Sequence, residues 1–117
     1  MSKTVVCLGG SIESLPILRK VKAMGHRLIV VDGNEHAIGR DIADIFISAS
    51  CYHAEQVVPV LKGLNIPFDA VLCAAIDAPM VAAEVAHAFG LPGLTPVQAA
   101  PGADKAKQIH VLTRAGI

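Results

Sequence analysis

The sequence predicts a doubly wound α/β domain, an open parallel sheet with helices on both faces. Two observations carry this. Apolar, strand-like runs alternate with segments of helical period along the chain, the pattern of parallel strands joined by crossover helices. The run Leu28-Ile29-Val30-Val31 is also apolar without alternation, as expected of a strand covered on both faces. At 117 residues the chain is one domain, able to bury roughly two-thirds of the surface it exposes when unfolded.

Taken in order, Thr4 to Leu8 is a first strand that ends at Gly9-Gly10-Ser11. A helix follows to Met24, with Ser14 as its N-cap, Pro16 in the first turn and Ile12, Leu15, Leu18 and Val21 on one face. Gly25 stops it. Arg27 to Asp32 is a second strand and Ile45 to Ser48 a short third. His53 to Leu64 reads as a helix with Val57, Val60, Leu61 and Leu64 apolar, and Pro59 either delays its start to near Gln56 or kinks it. Asp69 to Ala74 is a fourth strand. Asp77 caps a helix from Ala78 to Phe89, closed by Gly90. Thr95-Pro96-Val97-Gln98 has the form of a capping box, and Asp104 caps a last helix from Lys105 to Ala115. Right-handed crossovers then give the strand order 3-2-1-4, with Gly9 to Ser11 and Asp32 at the carboxyl edge of the sheet.

Composition excludes several classes. Hydrophobic residues make up 53% and charged residues 17%, which rules out a disordered tail. The longest unbroken apolar run, Ala70 to Ile76, is far short of the about 20 residues of a membrane span. Ten basic residues balance ten acidic ones, with no Trp, one Tyr and three Phe. Nucleic acid binding would need excess positive charge or stacking aromatics. Cys7, Cys51 and Cys73 are odd in number and form no C-x-x-C, so neither a zinc ribbon nor a disulfide scaffold is expected. No signal peptide opens the chain, and the cytoplasm is the expected compartment.

The residues that could carry chemistry are few. Gly9-Gly10-Ser11 joins a strand to a helix, where free N–H groups and the positive end of the helix dipole face an incoming ligand. The plainer reading is that the glycines only allow a tight turn. The full G-x-G-x-x-G fingerprint is absent, and so is a phosphate-cradling Gly-Lys-Ser/Thr loop. Asp32 ends the second strand, where dinucleotide folds place an acid on the ribose hydroxyls; the alternative is an Asp that caps the turn at Gly33-Asn34. His26, His36, His53, His87 and His110 show no metal-ligand spacing. Asp77 and Asp104 read as helix caps before catalysts, and no Ser-His-Asp or Cys-His arrangement can be drawn.

Three stretches carry a resemblance: "VVCLGGSIESLPILRKVKAMGHRLIVVD", "GNEHAIGRDIADIFI" and above all "FGLPGLTPVQAAPGADKAKQIHVLTRAGI". Their order and spacing resemble the N-terminal domain of ATP-grasp enzymes, the Rossmann-like pre-ATP-grasp domain of biotin carboxylase, the carbamoyl-phosphate synthase large chain and purine-pathway carboxylate ligases. The resemblance covers nearly the whole chain. It implies ATP-dependent ligation through an acyl-phosphate, with this domain supplying part of the site for a small carboxylate substrate. By that resemblance Gly9, Gly10, Ser11 and Asp32 face the substrate, and Lys105 matches a basic position that reaches an ATP phosphate; its plainer reading is a solvated first-turn lysine. ATP and Mg2+ belong, on this reading, to ATP-grasp domains expected beyond Ile117, so the chain alone is expected to be inactive. Its partners would be those domains or a partner subunit, with a homodimer as a further arrangement.

Two readings from other classes compete. A stand-alone nucleotide- or dinucleotide-binding regulatory module is motivated by Gly9, Gly10 and Asp32. A non-catalytic subunit would use the apolar excess as an interface. The ligase reading also expects the last helix, with Ile109, Leu112 and Ile117, to pack loosely or against another chain.

Overall fold

The computed structural model describes residues 3–73 and 79–91, the first two of the latter stretch by their backbone alone. The elements run β1 (Thr4–Leu8), a 3-10 turn (Ile12–Ser14), α1 (Leu15–Ala23), β2 (Arg27–Asp32), a second 3-10 turn (Ile38–Asp41), β3 (Ile45–Ser48), α2 (Ala54–Gly63), β4 (Ala70–Leu72) and α3 (Pro79–Ala88). All strand pairs are parallel and the order is β3-β2-β1-β4, as right-handed crossovers require. The expectations on Asp77, on Thr95 to Gln98 and on the last helix with Asp104 and Lys105 lie outside the described residues.

The unbroken apolar runs have a direct structural reason. Alternate residues of each strand enter opposite cores. Val5, Cys7, Leu28, Val30, Ala70 and Leu72 face α1 through Leu15, Leu18 and Val21. Val6, Leu8, Ile29, Val31, Ile47, Val71 and Cys73 share the other core with Val57 and Leu61 of α2 and Val81, Ala82, Val85 and Ala86 of α3. At the far end of that core the Phe68 and Phe89 rings meet edge to face at 5.1 Å. All three cysteines are buried, and no disulfide forms among the described residues.

Three local expectations are corrected. Ser14 does precede α1, but its hydroxyl makes no capping bond, because the residue is already helical (φ −81°, ψ −18°) as the 3-10 turn runs into the helix. Ile12 leaves the apolar stripe and is 64% exposed. It belongs to the 3-10 turn, whose period of three residues sends it elsewhere than the α-helical spacing would. In α2, Pro59 does not delay the start to near Gln56: the helix runs from Ala54 to Gly63 with Pro59 inside it. Its missing N–H orphans only the Glu55 carbonyl, and both residues lie on the solvent face, where that carbonyl is open to water. Val57 and Leu61 are buried, whereas Val60 turns outward.

The amino edge of the sheet is fastened by side chains that accept the leading N–H groups of its strands. Asp69 Oδ2 accepts from Thr4 N at 2.8 Å, His26 Nδ1 from Lys3 N at 2.9 Å and Asp44 Oδ2 from Leu28 N at 2.7 Å. Asp44 also pairs with Lys22 Nζ through both oxygens, at 2.8 and 2.7 Å. Lys22, and then the Leu28 N–H, hold the Asp44 carboxyl below its ordinary value of 3.8. A carboxylate with a depressed folded-state pKa contributes stability that is present above its unfolded value and lost as pH falls through the folded one. Asp44→Asn is therefore expected to lower the urea midpoint at neutral pH. The gap should begin to narrow as pH falls towards 3.8 and close only below the depressed folded-state pKa, where both proteins carry an uncharged group. The exposed ion pair contributes about 0.2–1 kcal/mol; a gap that persisted in acid would rule out the charge as its source.

Candidate functional site

The sheet order places β1 at the point where the chain switches from building outward through β2 and β3 to adding β4 on the other side. In open parallel sheets, ligands bind beyond the carboxyl ends of the strands at such a point. Here that edge carries Gly9, Gly10 and Ser11 after β1, Asp32 and Gly33 at the end of β2, and Ser50 and Cys51 after β3.

The turn after β1 is built by close backbone packing. Gly9 has φ +98°, which an L side chain rarely adopts, and its N–H donates to Val31 O at 2.7 Å. Gly10 lies so close to β2 that a Cβ there would come within 2.8 Å of Val30 Cγ1. Its carbonyl accepts the Gly39 N–H at 2.7 Å. Gly39, from the second 3-10 turn, has no room either: an added Cβ would meet Leu18 Cδ1 at 2.8 Å and Gly10 Cα and O at 2.9 Å each. Gly39 is thus part of the site although nothing in its local sequence marks it. Its one signal is its place in the Gly33–Ile47 stretch that carries the resemblance.

Asp32 resolves into a turn-holding residue. Its Oδ2 accepts from Gly10 N at 2.8 Å and its Oδ1 from Asn34 N at 2.8 Å, so one carboxylate ties the turn after β1 to the turn after β2. Structure and sequence agree that Gly9, Gly10, Ser11 and Asp32 come together; Lys105 lies outside the described residues. On the neighbouring connection, Ser50 Oγ and His53 Nδ1 are 2.9 Å apart, and Tyr52 is 56% exposed. Cys51 is buried beside this group. Burial first, and then the Asp32 charge, push its thiol up from the ordinary value.

Among the described residues no three His, Cys, Asp or Glu side chains gather to hold a metal ion, and no helix is long and apolar enough to cross a membrane. Neither a family model nor a curated protein sequence matches the chain. Solved structures do. Phosphoribosylglycinamide synthetase from Anaerococcus prevotii is similar at a TM-score of 0.75 and 22% identity, over 97% of this chain and 29% of that one. N5-carboxyaminoimidazole ribonucleotide synthetase from Thermotoga maritima is similar at 0.64 and 21%, over 98% and 31%. An L-amino acid ligase from Bacillus licheniformis is similar at 0.69 and 17%, over 99% and 30%. The chain spans about three-tenths of the length of these proteins. Its parallel sheet of order 3-2-1-4, with α1 on one face and α2 and α3 on the other, is the fold of a domain-sized part of these three proteins.

Proposed function

We propose that this chain is the N-terminal, substrate-side domain of an ATP-dependent carboxylate–amine ligase that works through an acyl-phosphate, of the carbamoyl-phosphate synthase kind. In that chemistry a carboxylate oxygen attacks the terminal phosphorus of ATP and ADP leaves. The amine then attacks the acyl carbon, phosphate leaves, and the amine gives up a proton. The observation that carries the reading is the likeness of almost the entire chain to a domain-sized part of several ligases. The glycine turn and Asp32, brought together at the carboxyl edge, support it.

The role of this chain's own residues is to shape one wall of the substrate site. Gly9 and Gly10 let the turn pack tightly against β2 and the second 3-10 turn, and Asp32 holds that backbone in place. On this reading Mg2+ and most of the contacts to ATP belong to further domains of a full-length parent. Lys105 is the one basic residue of this chain assigned to an ATP phosphate.

The 117-residue chain alone is accordingly expected to hydrolyse no ATP and to bind it weakly at most. Charge developing on a transferring phosphoryl group needs metal ions and several positioned cations in a closed site. In the full-length parent, Lys105→Ala should cost the ATP step about 1.5–3 kcal/mol, the contribution of one charge-assisted hydrogen bond. Asp32→Ala should raise the KM of the carboxylate substrate and leave that of ATP nearly unchanged. Calorimetric titration of the short chain with Mg-ATP, beside steady-state kinetics of both variants in the parent, tests the division. Micromolar ATP binding by the short chain would overturn it in favour of a nucleotide-binding module.

A further inference from the structure

We infer that His26 is a pH-sensitive latch at the amino edge of the sheet: its unprotonated Nδ1 fastens the backbone ahead of β1, and protonation lets that backbone go. The latch is independent of the ligase reading above.

Chemistry fixes which atom donates. Lys3 N meets His26 Nδ1 at 2.9 Å, across 23 positions of sequence. A backbone N–H is a donor and nothing else, so Nδ1 accepts and the ring hydrogen sits on Nε2. A protonated imidazole carries hydrogen on both nitrogens and accepts nothing. The Ser50–His53 pair differs. Ser50 Oγ and His53 Nδ1 lie as close, at 2.9 Å, but a hydroxyl accepts as well as donates, so that contact survives protonation with its roles reversed. Among the described residues, His26 is the histidine whose ring partner cannot reverse.

The seat of the ring is closed. His26 is 8% exposed, and its backbone N–H donates to Val21 O at 3.3 Å, where the chain leaves α1. The charged groups on the elements that meet here are Lys3 and Arg27 beside the ring, Lys20 and Lys22 in the last turn of α1, Asp44 before β3 and Asp69 before β4. Both acids are occupied: Asp44 takes Lys22 Nζ and Leu28 N, and Asp69 takes Thr4 N. Among the described residues no carboxylate is bonded to the ring. None of them therefore gives a protonated His26 a new acceptor in place of the lost bond.

What is released is the lead of β1, not the strand. Lys3 keeps its second backbone tie, the Arg27 N–H on its carbonyl at 2.8 Å, and Thr4 N keeps Asp69 Oδ2. Imidazole is the side chain that changes charge between about pH 5 and 8. Through that range the Asp44 carboxyl, held below 3.8, stays ionised, so the fastening of Leu28 N beside the latch does not change.

The test is NMR of the isotope-labelled 117-residue chain, titrated from about pH 8 to about pH 5. At the upper end a scalar coupling across the hydrogen bond should join the Lys3 amide nitrogen to His26 Nδ1. At the lower end, where the ring nitrogen signals report protonation, that coupling should vanish. Protection of the Lys3 amide against hydrogen exchange should fall with it by roughly two- to tenfold, the net contribution of one hydrogen bond. The Leu28 amide, bonded to Asp44, should keep its protection throughout. His26→Asn places an amide oxygen where Nδ1 accepts and removes the titration, so its Lys3 amide should stay protected at both ends. That variant retains the α-amino group, which titrates at about pH 8, so any effect of that group is common to both proteins. A coupling and a Lys3 protection that persist after the ring is protonated would overturn the inference. So would a ring still unprotonated at the lower end, or a loss of equal size in His26→Asn.

Discussion

Gly39→Ala is expected to destabilise the fold by about 2–3 kcal/mol, an overpacking cost at the upper end of the usual range, and to lower the melting temperature by on the order of 10 °C. The reason lies in what the new methyl would meet. Of its three closest neighbours, only Leu18 Cδ1 is the end of a side chain; the other two, Gly10 Cα and O, are backbone. Relief would mean pushing the second 3-10 turn off the glycine turn and breaking the 2.7 Å bond from Gly39 N to Gly10 O. Gly10→Ala should cost less. Its single severe contact is a side-chain methyl, Val30 Cγ1 at 2.8 Å, and combining it with Val30→Ala should recover part of the loss. Urea unfolding of the variants orders them. A Gly39→Ala protein within about 0.5 kcal/mol of the parent, the spread of ordinary surface changes, would mean that the 3-10 turn does not brace the site.

Leu18→Ala is expected to cost about 3 kcal/mol, within the 2.7–5.0 kcal/mol range of buried leucine truncations. Leu18 is fully buried between α1 and the β1–β2–β4 face, and it also presses on the underside of Gly39. Its removal therefore opens a cavity in the core and loosens the floor of the site together. The two predictions are coupled. In the Leu18→Ala background, Gly39→Ala should cost less than it does alone, by roughly 0.5–1 kcal/mol, because one of its three clashes is gone. It should not become neutral, because the Gly10 backbone remains. Strict additivity in a double-mutant cycle would show that the two positions do not press on each other.

Much of the architecture was readable from residue order because it rests on local and one-dimensional facts. β1, β2 and β3 begin and end where the sequence expects, since apolar β-branched runs stop at glycine, aspartate or serine. The order 3-2-1-4 follows from chirality, which needs only the succession of strands and helices. The helix faces were read less well. Val60 fits an apolar pattern but points to solvent, because the inward stripe of α2 runs through Val57 and Leu61. Ile12 fits the spacing of α1 but lies in the turn before it.

The sequence by itself determined that the chain makes a two-faced parallel sheet and that Gly9, Gly10, Ser11 and Asp32 meet at one edge of it. It left Asp32 open between a ligand residue and a turn cap, because a carboxylate has the same letter in both. Only the tertiary structure decided that both oxygens reach backbone N–H groups, Gly10 on one turn and Asn34 on another. Only it showed that Gly39, 29 positions from Gly10 in the sequence, must be glycine because two backbones touch there. Close approach of segments distant in sequence is a property of packing, and packing follows from the whole set of contacts rather than from any local run of residues.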